Sequence, residues 1–203
     1  MFDRLILARS RHRLQALARP LQAAGIRADQ VTLAGFLLGI SALPALALQQ
    51  YGLALLLIGL NRLCDGLDGT LARLTRPSDR GGFLDIVLDF LFYSAIPLGF
   101  ALADPDRNAL PAAVLIYSFI GTGCSFLAFA VIAAKRGLTG TTYPDKSFYY
   151  LGGLTEATET LSVFALMCLW PAAFPVLACG FAILCFITTA LRLHAGWTLF
   201  ADQ

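Results

Sequence analysis

The chain has 203 residues, 58% of them apolar and only 14% charged, with a formal net charge of +2 and a mean hydropathy of +0.71. Soluble domains carry roughly 25% charged residues, so the composition excludes a water-soluble globule, and no nucleic-acid partner is expected of so nearly neutral a chain. One domain lying in lipid is expected, and the number of ~20-residue apolar spans sets its architecture.

Residues 1–27 interleave Arg4, Arg9, Arg11, Arg13, Arg19 and Arg27 with Phe2, Leu5, Ile6, Leu14, Leu17 and Leu21. The longest apolar run there, residues 5–8, falls short of the roughly 7–15 residues of a secretory signal. An uncleaved amphipathic helix on the anionic cytoplasmic leaflet is expected; a basic topogenic flank explains the same residues.

Apolar runs then predict six spans, near residues 31–48, 53–73, 81–103, 109–134, 156–170 and 172–193. The fold class is an all-α membrane protein, six transmembrane helices preceded by a surface helix, in a single domain 1–203 divided into the arm 1–27 and the bundle 28–203. Gly35 and Gly39 make a G-x-x-x-G on the first span, and Gly121 and Gly123 are small residues on the fourth; each pair permits close helix contact within or between subunits. The second and third spans are unusual. Charge interrupts them at Arg62, Asp65, Asp68 and Arg73, and again at Asp85 and Asp89.

Basic residues set the orientation, because cytoplasmic loops carry the excess of Lys and Arg. Besides the arm, Arg76 and Arg80 lie between spans two and three, and Lys135, Arg136 and Lys146 between four and five, whereas the opposite connections hold only Arg107. Both termini are therefore expected on the cytoplasmic side, with Trp170 and Trp197 at opposite interfaces. The longest connection, residues 135–155, contains Gly137, Gly140, Pro144, Gly152 and Gly153; it reads as a substrate lid, an acceptor pocket or a plain solvent loop. Cys64, Cys124, Cys168, Cys179 and Cys185 show no C-x-x-C spacing, so neither disulfides nor zinc are suggested. His12 and His194 are isolated.

Between the second and third spans runs D-G-L-D-G-T-L-A-R-L-T-R-P-S-D-R-G-G-F-L-D-I-V-L-D. Asp65 and Asp68 are three apart and Asp85 and Asp89 four apart, so each pair lies on one helix face. An ionised Asp at a span centre costs about 2.5–3.5 kcal/mol on the lenient insertion scale, and something must neutralise four of them. The short turn between the helices makes them antiparallel neighbours with their carboxylate pairs facing. Hard oxygen ligands so arranged suit Mg²⁺ or Mn²⁺, and four carboxylates can hold two ions about 4 Å apart. Two-metal carboxylate sites suit displacement at phosphorus. Gly66, Gly69, Gly81 and Gly82 let a phosphate or a second backbone approach, and Arg73 can neutralise a phosphate.

The residues fit D-x2-D-G-x2-A-R-x7-G-x3-D-x3-D, with Asp65, Asp68, Gly69, Ala72, Arg73, Gly81, Asp85 and Asp89 in the fixed positions. That pattern resembles the signature of the CDP-alcohol phosphotransferase family of phospholipid-synthesising membrane enzymes. The resemblance implies that Asp65, Asp68 and Asp85 bind metal together with the diphosphate of CDP-diacylglycerol, and that Asp85 and Asp89 hold a second ion. It implies that Asp89 is the general base, taking the proton from an acceptor hydroxyl that attacks the lipid-side phosphorus and expels CMP. Gly69, Ala72 and Arg73 would line the nucleotide site, with Gly81 permitting close approach. Family members often open the first span with Pro-Asn ahead of a Thr. Here Ala28 and Asp29 precede Thr32, so no nucleotide contact is carried over to that segment. The stretch from Lys146 to Thr160 is similar to a bacterial inner-membrane branch, which implies that location, with a cytoplasmic active site. The family also implies a homodimer.

The resemblance implies as acceptor a small polar alcohol or an alcohol phosphate such as glycerol 3-phosphate or inositol phosphate. A phosphate ester needs cations, which Lys135, Arg136, Lys146 and Arg192 can supply, although the positive-inside bias explains them too. Glu156 and Glu159 suit acceptor hydroxyls or the acidic first turn of a helix. Two other functions remain open. A membrane prenyltransferase also places aspartates around Mg²⁺ but normally has two separated motifs, and a cation-coupled transporter would show an acidic counterpart in its second half.

Overall fold

The computed structural model describes residues 3–138 and 154–201, with side chains from His12 onward. The described residues form helices and connections without a strand: α1 (Asp3–Ala23), α2 (Ala28–Ile40), α3 (Ala42–Ala47), α4 (Tyr51–Leu74), α5 (Asp79–Ala103), α6 (Pro105–Lys135), α7 (Ala157–Leu169), a 3-10 turn (Pro171–Ala173) and α8 (Phe174–Leu199).

Local chemistry sets the boundaries. α1 closes on Gly25 at φ 74°, whose N–H reaches the Gln22 carbonyl while Ile26 N–H reaches Leu21. This Schellman closure needs a left-handed residue, which glycine supplies without a Cβ clash. The first predicted span is broken into α2 and α3 at Ser41. Pro44 cannot donate to Ile40, and the Ser41 hydroxyl donates instead to the Leu37 carbonyl at 2.7 Å. Ser78 caps α5 by accepting from Gly81 N–H at 3.1 Å, and Asp104 precedes Pro105 at the first position of α6, where a missing N–H costs nothing.

Among the described residues, four segments are long and apolar enough to cross a membrane: Ala28–Ala47, Asp79–Ala103, Pro105–Lys135 and Pro171–Leu199. The other two predicted spans coincide with helices that differ from these. α4 has 24 residues, a length of about 36 Å, but its arginines and aspartates lower its hydropathy. α7 is apolar but has 13 residues, about 20 Å, short of a ~30 Å hydrocarbon core. Leu37, Leu110, Val131, Val176 and Ile183 point outward, while Phe92, Phe100, Phe164 and Phe174 are fully buried. The Phe100 and Phe174 rings stack at 4.5 Å, so aromatic packing fills the centre.

The arrangement of α2, α4 and α5 positions the site. A Cβ on Gly35 would lie 2.5 Å from Cys64 Cβ, and one on Gly39 would lie 2.8 Å from the Asn61 amide and 2.7 Å from the Phe92 ring. The G-x-x-x-G is thus used within the chain, to seat α2 on α4. α2 also packs against α5, whereas α4 and α5 scarcely meet through their backbones. The expected antiparallel neighbours are held apart at the site, and carboxylates fill the gap between them.

Candidate metal centre

Asp65 and Asp68 project from one face of α4, and Asp85 projects from the first half of α5. One carboxylate oxygen from each of the three lies within 4.8 Å of the other two. Among the described residues the donor set is all carboxylate oxygen and so fits a hard divalent cation such as Mg²⁺ or Mn²⁺. A space of ≈ 20 Å³ lies among Thr32, Asn61, Arg62 and the four aspartates, comparable to the room one water needs. Asp68 is buried, so its charge requires a cation nearby.

Asp89, one turn beyond Asp85, borders the same space but is drawn toward Arg62. Arg62 Nη2 donates to Asp89 Oδ1 at 2.7 Å, and Nη1 lies 3.6 Å from Asp65 Oδ2. The guanidinium also donates through Nε to Asn61 Oδ1 at 2.8 Å and through Nη1 to the Tyr93 hydroxyl at 3.1 Å. It packs 4.7 Å from the Phe92 centroid and 5.3 Å from that of Tyr93. In the sequence Arg62 stands out only as a charge in an apolar run. Its spacing of three from Asp65, on the same helix face, is the signal for more.

Toward the α4–α5 turn the aspartates open into a cavity of ≈ 520 Å³. α1 and the turn after it contribute Gln22, Gly25 and Ile26, and α2 begins its wall with Asp29 and Thr32. The end of α4 supplies Asp68, Gly69, Ala72 and Arg73, and Gly81 and Asp85 complete it from α5. Every residue expected at a nucleotide and diphosphate site lines this cavity except Asp65, which lies deeper, in the small space. Arg27, Arg73, Arg76 and Arg80 give it a basic rim above an acidic floor, a pattern that suits an anionic group held through cations.

On the other side of Asp85 and Asp89 is a second cavity, of ≈ 240 Å³. It is bounded by Tyr93, by Thr122 and Phe126 on α6, by Glu156 and Thr160 at the start of α7, and by Arg192 on α8. Arg192 Nη1 donates to the Thr122 carbonyl at 2.9 Å, and its guanidinium lies 5.5 Å from the Phe126 centroid. Of the four cations expected at an acceptor site, Arg192 alone lines this cavity among the described residues. Lys135 and Arg136 end α6 away from it; Arg136 donates to the Phe200 carbonyl at 3.1 Å and packs 5.4 Å from the Phe200 ring. Lys146 lies outside the described residues. Glu156 is buried and caps α7 reciprocally with Glu159, so both have a local structural task.

Comparison with known proteins gives a consistent picture. Residues 26–191 match the family model described as CDP-alcohol phosphatidyltransferase. The chain is 53% identical to the inner membrane protein YnjF of Escherichia coli, over 97% of this chain and 96% of that one. It is 35% identical to the archaetidylinositol phosphate synthase of Pyrococcus horikoshii, over 53% of this chain and 57% of that one. The phosphatidylinositol phosphate synthase of Mycobacterium tuberculosis with CDP-DAG bound shares the fold at a TM-score of 0.72 and 23% identity, covering 91% of this chain and 94% of the other. The same synthase in complex with manganese and citrate gives a TM-score of 0.71 at 23% identity, over 91% and 89% of the two chains.

Proposed function

The chain belongs to the CDP-alcohol phosphatidyltransferase family, enzymes that transfer phosphatidyl groups in phospholipid synthesis, and from that premise we propose that it moves the phosphatidyl group of CDP-diacylglycerol to a small alcohol or alcohol phosphate, releasing CMP. The single observation that carries this reading is the meeting of Asp65, Asp68 and Asp85 in the small space between two cavities, where Asp68 and Asp85 border the larger cavity and Asp85 and Asp89 border the second. One cavity receives the nucleotide and diphosphate, the other the acceptor. The reacting phosphorus sits between them.

Asp65, Asp68 and Asp85 would hold one Mg²⁺ or Mn²⁺, and Asp85 with Asp89 a second; when bound, such ions polarise phosphoryl oxygens and stabilise the leaving oxygen. Gly69, Ala72, Arg73 and Gly81 bind and orient the nucleotide and diphosphate. Asp89 takes the proton of the acceptor hydroxyl as that oxygen bonds to the lipid-side phosphorus. The phosphoanhydride P–O bond breaks, and CMP leaves toward the larger cavity. Arg192 orients the acceptor. Glycerol 3-phosphate and an inositol phosphate are the acceptors to try first.

The same reading gives a membrane arrangement. α2 with α3, α4, α5, α6, α7 with its following turn, and α8 form six spans of a single domain 1–203, with α1 on the cytoplasmic surface. Both termini and the acidic site face the cytoplasm of a bacterial cell, at its inner membrane. α4 is tolerated in lipid because its charged face turns inward to the site. The protein works as a homodimer, as the family resemblance implies.

The test is release of CMP from labelled CDP-diacylglycerol by the purified, reconstituted protein with Mg²⁺ or Mn²⁺ and a panel of alcohols. Turnover by wild type and none by Asp89→Asn supports the assignment. A wild-type protein that leaves CDP-diacylglycerol intact with every acceptor, while carrying cations across vesicles, overturns it.

A further inference from the structure

Arg62 stands at the middle of α4 with its side chain 14% exposed. A guanidinium so deep in an apolar bundle is costly unless its donors are used. Arg62 uses them directionally. Asn61 Nδ2 donates to the Gly35 carbonyl at 2.9 Å, Arg62 Nε donates to Asn61 Oδ1 at 2.8 Å, and Arg62 Nη2 donates to Asp89 Oδ1 at 2.7 Å. This chain runs from α2 through α4 to α5, across the place where α4 and α5 otherwise scarcely touch. The Phe92 and Tyr93 rings pack with their centroids 4.7 and 5.3 Å from the guanidinium carbon and help hold the fork that engages Asp89.

The acidic cluster divides accordingly. Asp65, Asp68 and Asp85 bring their oxygens together, whereas Asp89 has one oxygen committed to Arg62. A carboxylate that wraps both oxygens around an ion turns one lone pair of each toward that ion and has only the outward-facing pairs left to receive a proton. One anchored through Oδ1 by a guanidinium presents Oδ2 first to an ion or a hydroxyl.

We propose that Arg62 is the positioning residue for Asp89: by occupying Oδ1 it keeps this carboxylate from clasping a metal ion with both oxygens and aims Oδ2 toward the acceptor cavity. This deepens the proposed transferase reading and rests on Asp89 acting as the base. In this role Arg62 touches no reacting atom and acts through Asp89, while its Nη1 lies 3.6 Å from Asp65 Oδ2. It also places a positive charge beside the ion site, so it works against cation binding while it serves proton transfer. A residue kept only for folding would not set these two properties against each other.

The experiment compares reconstituted wild type, Arg62→Lys and Arg62→Gln for CMP release across a Mn²⁺ titration, with Mn²⁺ binding followed independently by electron paramagnetic resonance. Arg62→Gln is expected to lower kcat by about 10²-fold, as for a misplaced catalytic group, while the Mn²⁺ concentration for half-activation falls and the KM for CDP-diacylglycerol changes little. Arg62→Lys, which keeps the charge but loses the fork, should lower kcat with a smaller gain in Mn²⁺ affinity. Wild-type kcat in Arg62→Gln, or weaker Mn²⁺ binding, overturns the proposal. Should Arg62→Gln not fold, Arg62→Lys decides it: unchanged kcat overturns, and a lower kcat without weaker Mn²⁺ binding supports. If even wild type releases no CMP, the transferase reading fails. Mn²⁺ binding then still tests the clasp, tighter binding in the charge-keeping Arg62→Lys supporting it and unchanged or weaker binding overturning it.

Discussion

Asp29 on α2 and Arg80 on α5, 51 positions apart, form an ion pair at the edge of the larger cavity, where Arg80 Nε donates to Asp29 Oδ2 at 2.9 Å. Arg80 is largely exposed while Asp29 is mostly covered, so the pair contributes little to stability, on the order of 0–1 kcal/mol. Its effect is on the field in the cavity. Asp29 neutralises one rim arginine exactly where an anionic diphosphate is proposed to bind. Asp29→Asn is therefore expected to leave the melting temperature within a few degrees of wild type and to lower the KM for CDP-diacylglycerol about threefold, or about 0.6 kcal/mol. Steady-state kinetics at two salt concentrations check this, the gain shrinking as salt rises. A higher KM would instead mean that Asp29 accepts a hydrogen bond from the nucleotide.

The proposed metal ligands make a sharper prediction. Asp68 is buried and borders both the small space and the larger cavity, so replacing it removes a charged oxygen from the proposed ion site itself. Asp68→Asn should raise the Mn²⁺ concentration for half-maximal activity at least about tenfold while the protein stays folded, since removing one of several crowded charges relieves repulsion. Chelation of wild type should abolish CMP release, and added Mn²⁺ or Mg²⁺ should restore it. Activity that survives exhaustive chelation would be incompatible with this site.

Helix packing offers a test independent of catalysis. Gly35 and Gly39 admit no Cβ without displacing Cys64, Asn61 or Phe92, whereas a Cβ on Gly59, elsewhere in the bundle, would meet nothing within 4 Å. Gly39→Ala is expected to destabilise the protein by about 1–3 kcal/mol through overpacking, and Gly59→Ala to be neutral or stabilising by up to ~1 kcal/mol from helix propensity. Thermal unfolding in detergent would separate the two. Because Asn61 also anchors Arg62, Gly39→Ala should lower kcat beyond what its loss of folded protein explains.

These particulars show what was legible beforehand. The four aspartates stand out because spacings of three and four are fixed by helix geometry alone, and their cost in lipid makes them conspicuous. The break at Ser41 is written in Pro44, yet an apolar run conceals it, since hydropathy does not register a missing N–H. The gap between α4 and α5 could not be read from a short turn. A turn fixes where two helices start, and α2, wedged against both, decides how far they stay apart. Arg62 was visible as a misplaced charge, but its partners Tyr93 and Asp89 lie 31 and 27 positions away, beyond any local pattern. Lys135, Arg136 and Arg192 share a charge and an expected membrane side, and only the folded chain separates the residue that lines a cavity from the two that end a helix.

That separation yields the last prediction. Arg192 is buried and borders the ≈ 240 Å³ cavity with Asp85 and Asp89, while Arg136 is engaged with Phe200 at the helix end. A substitution that serves only the acceptor should raise the acceptor KM and leave the KM for CDP-diacylglycerol alone, because the two substrates are proposed to enter from opposite sides of the aspartates. Arg192→Lys keeps the charge but loses the planar fork that both reaches the Thr122 carbonyl and packs on Phe126, and is the variant least disruptive to folding. It should raise the acceptor KM about tenfold, equivalent to ~1.4 kcal/mol, whereas Arg136→Ala should change neither constant by more than about twofold. Equal rises in both KM values for Arg192→Lys would mean that the second cavity does not belong to the acceptor, and a selective effect of Arg136→Ala would move acceptor recognition to the end of α6.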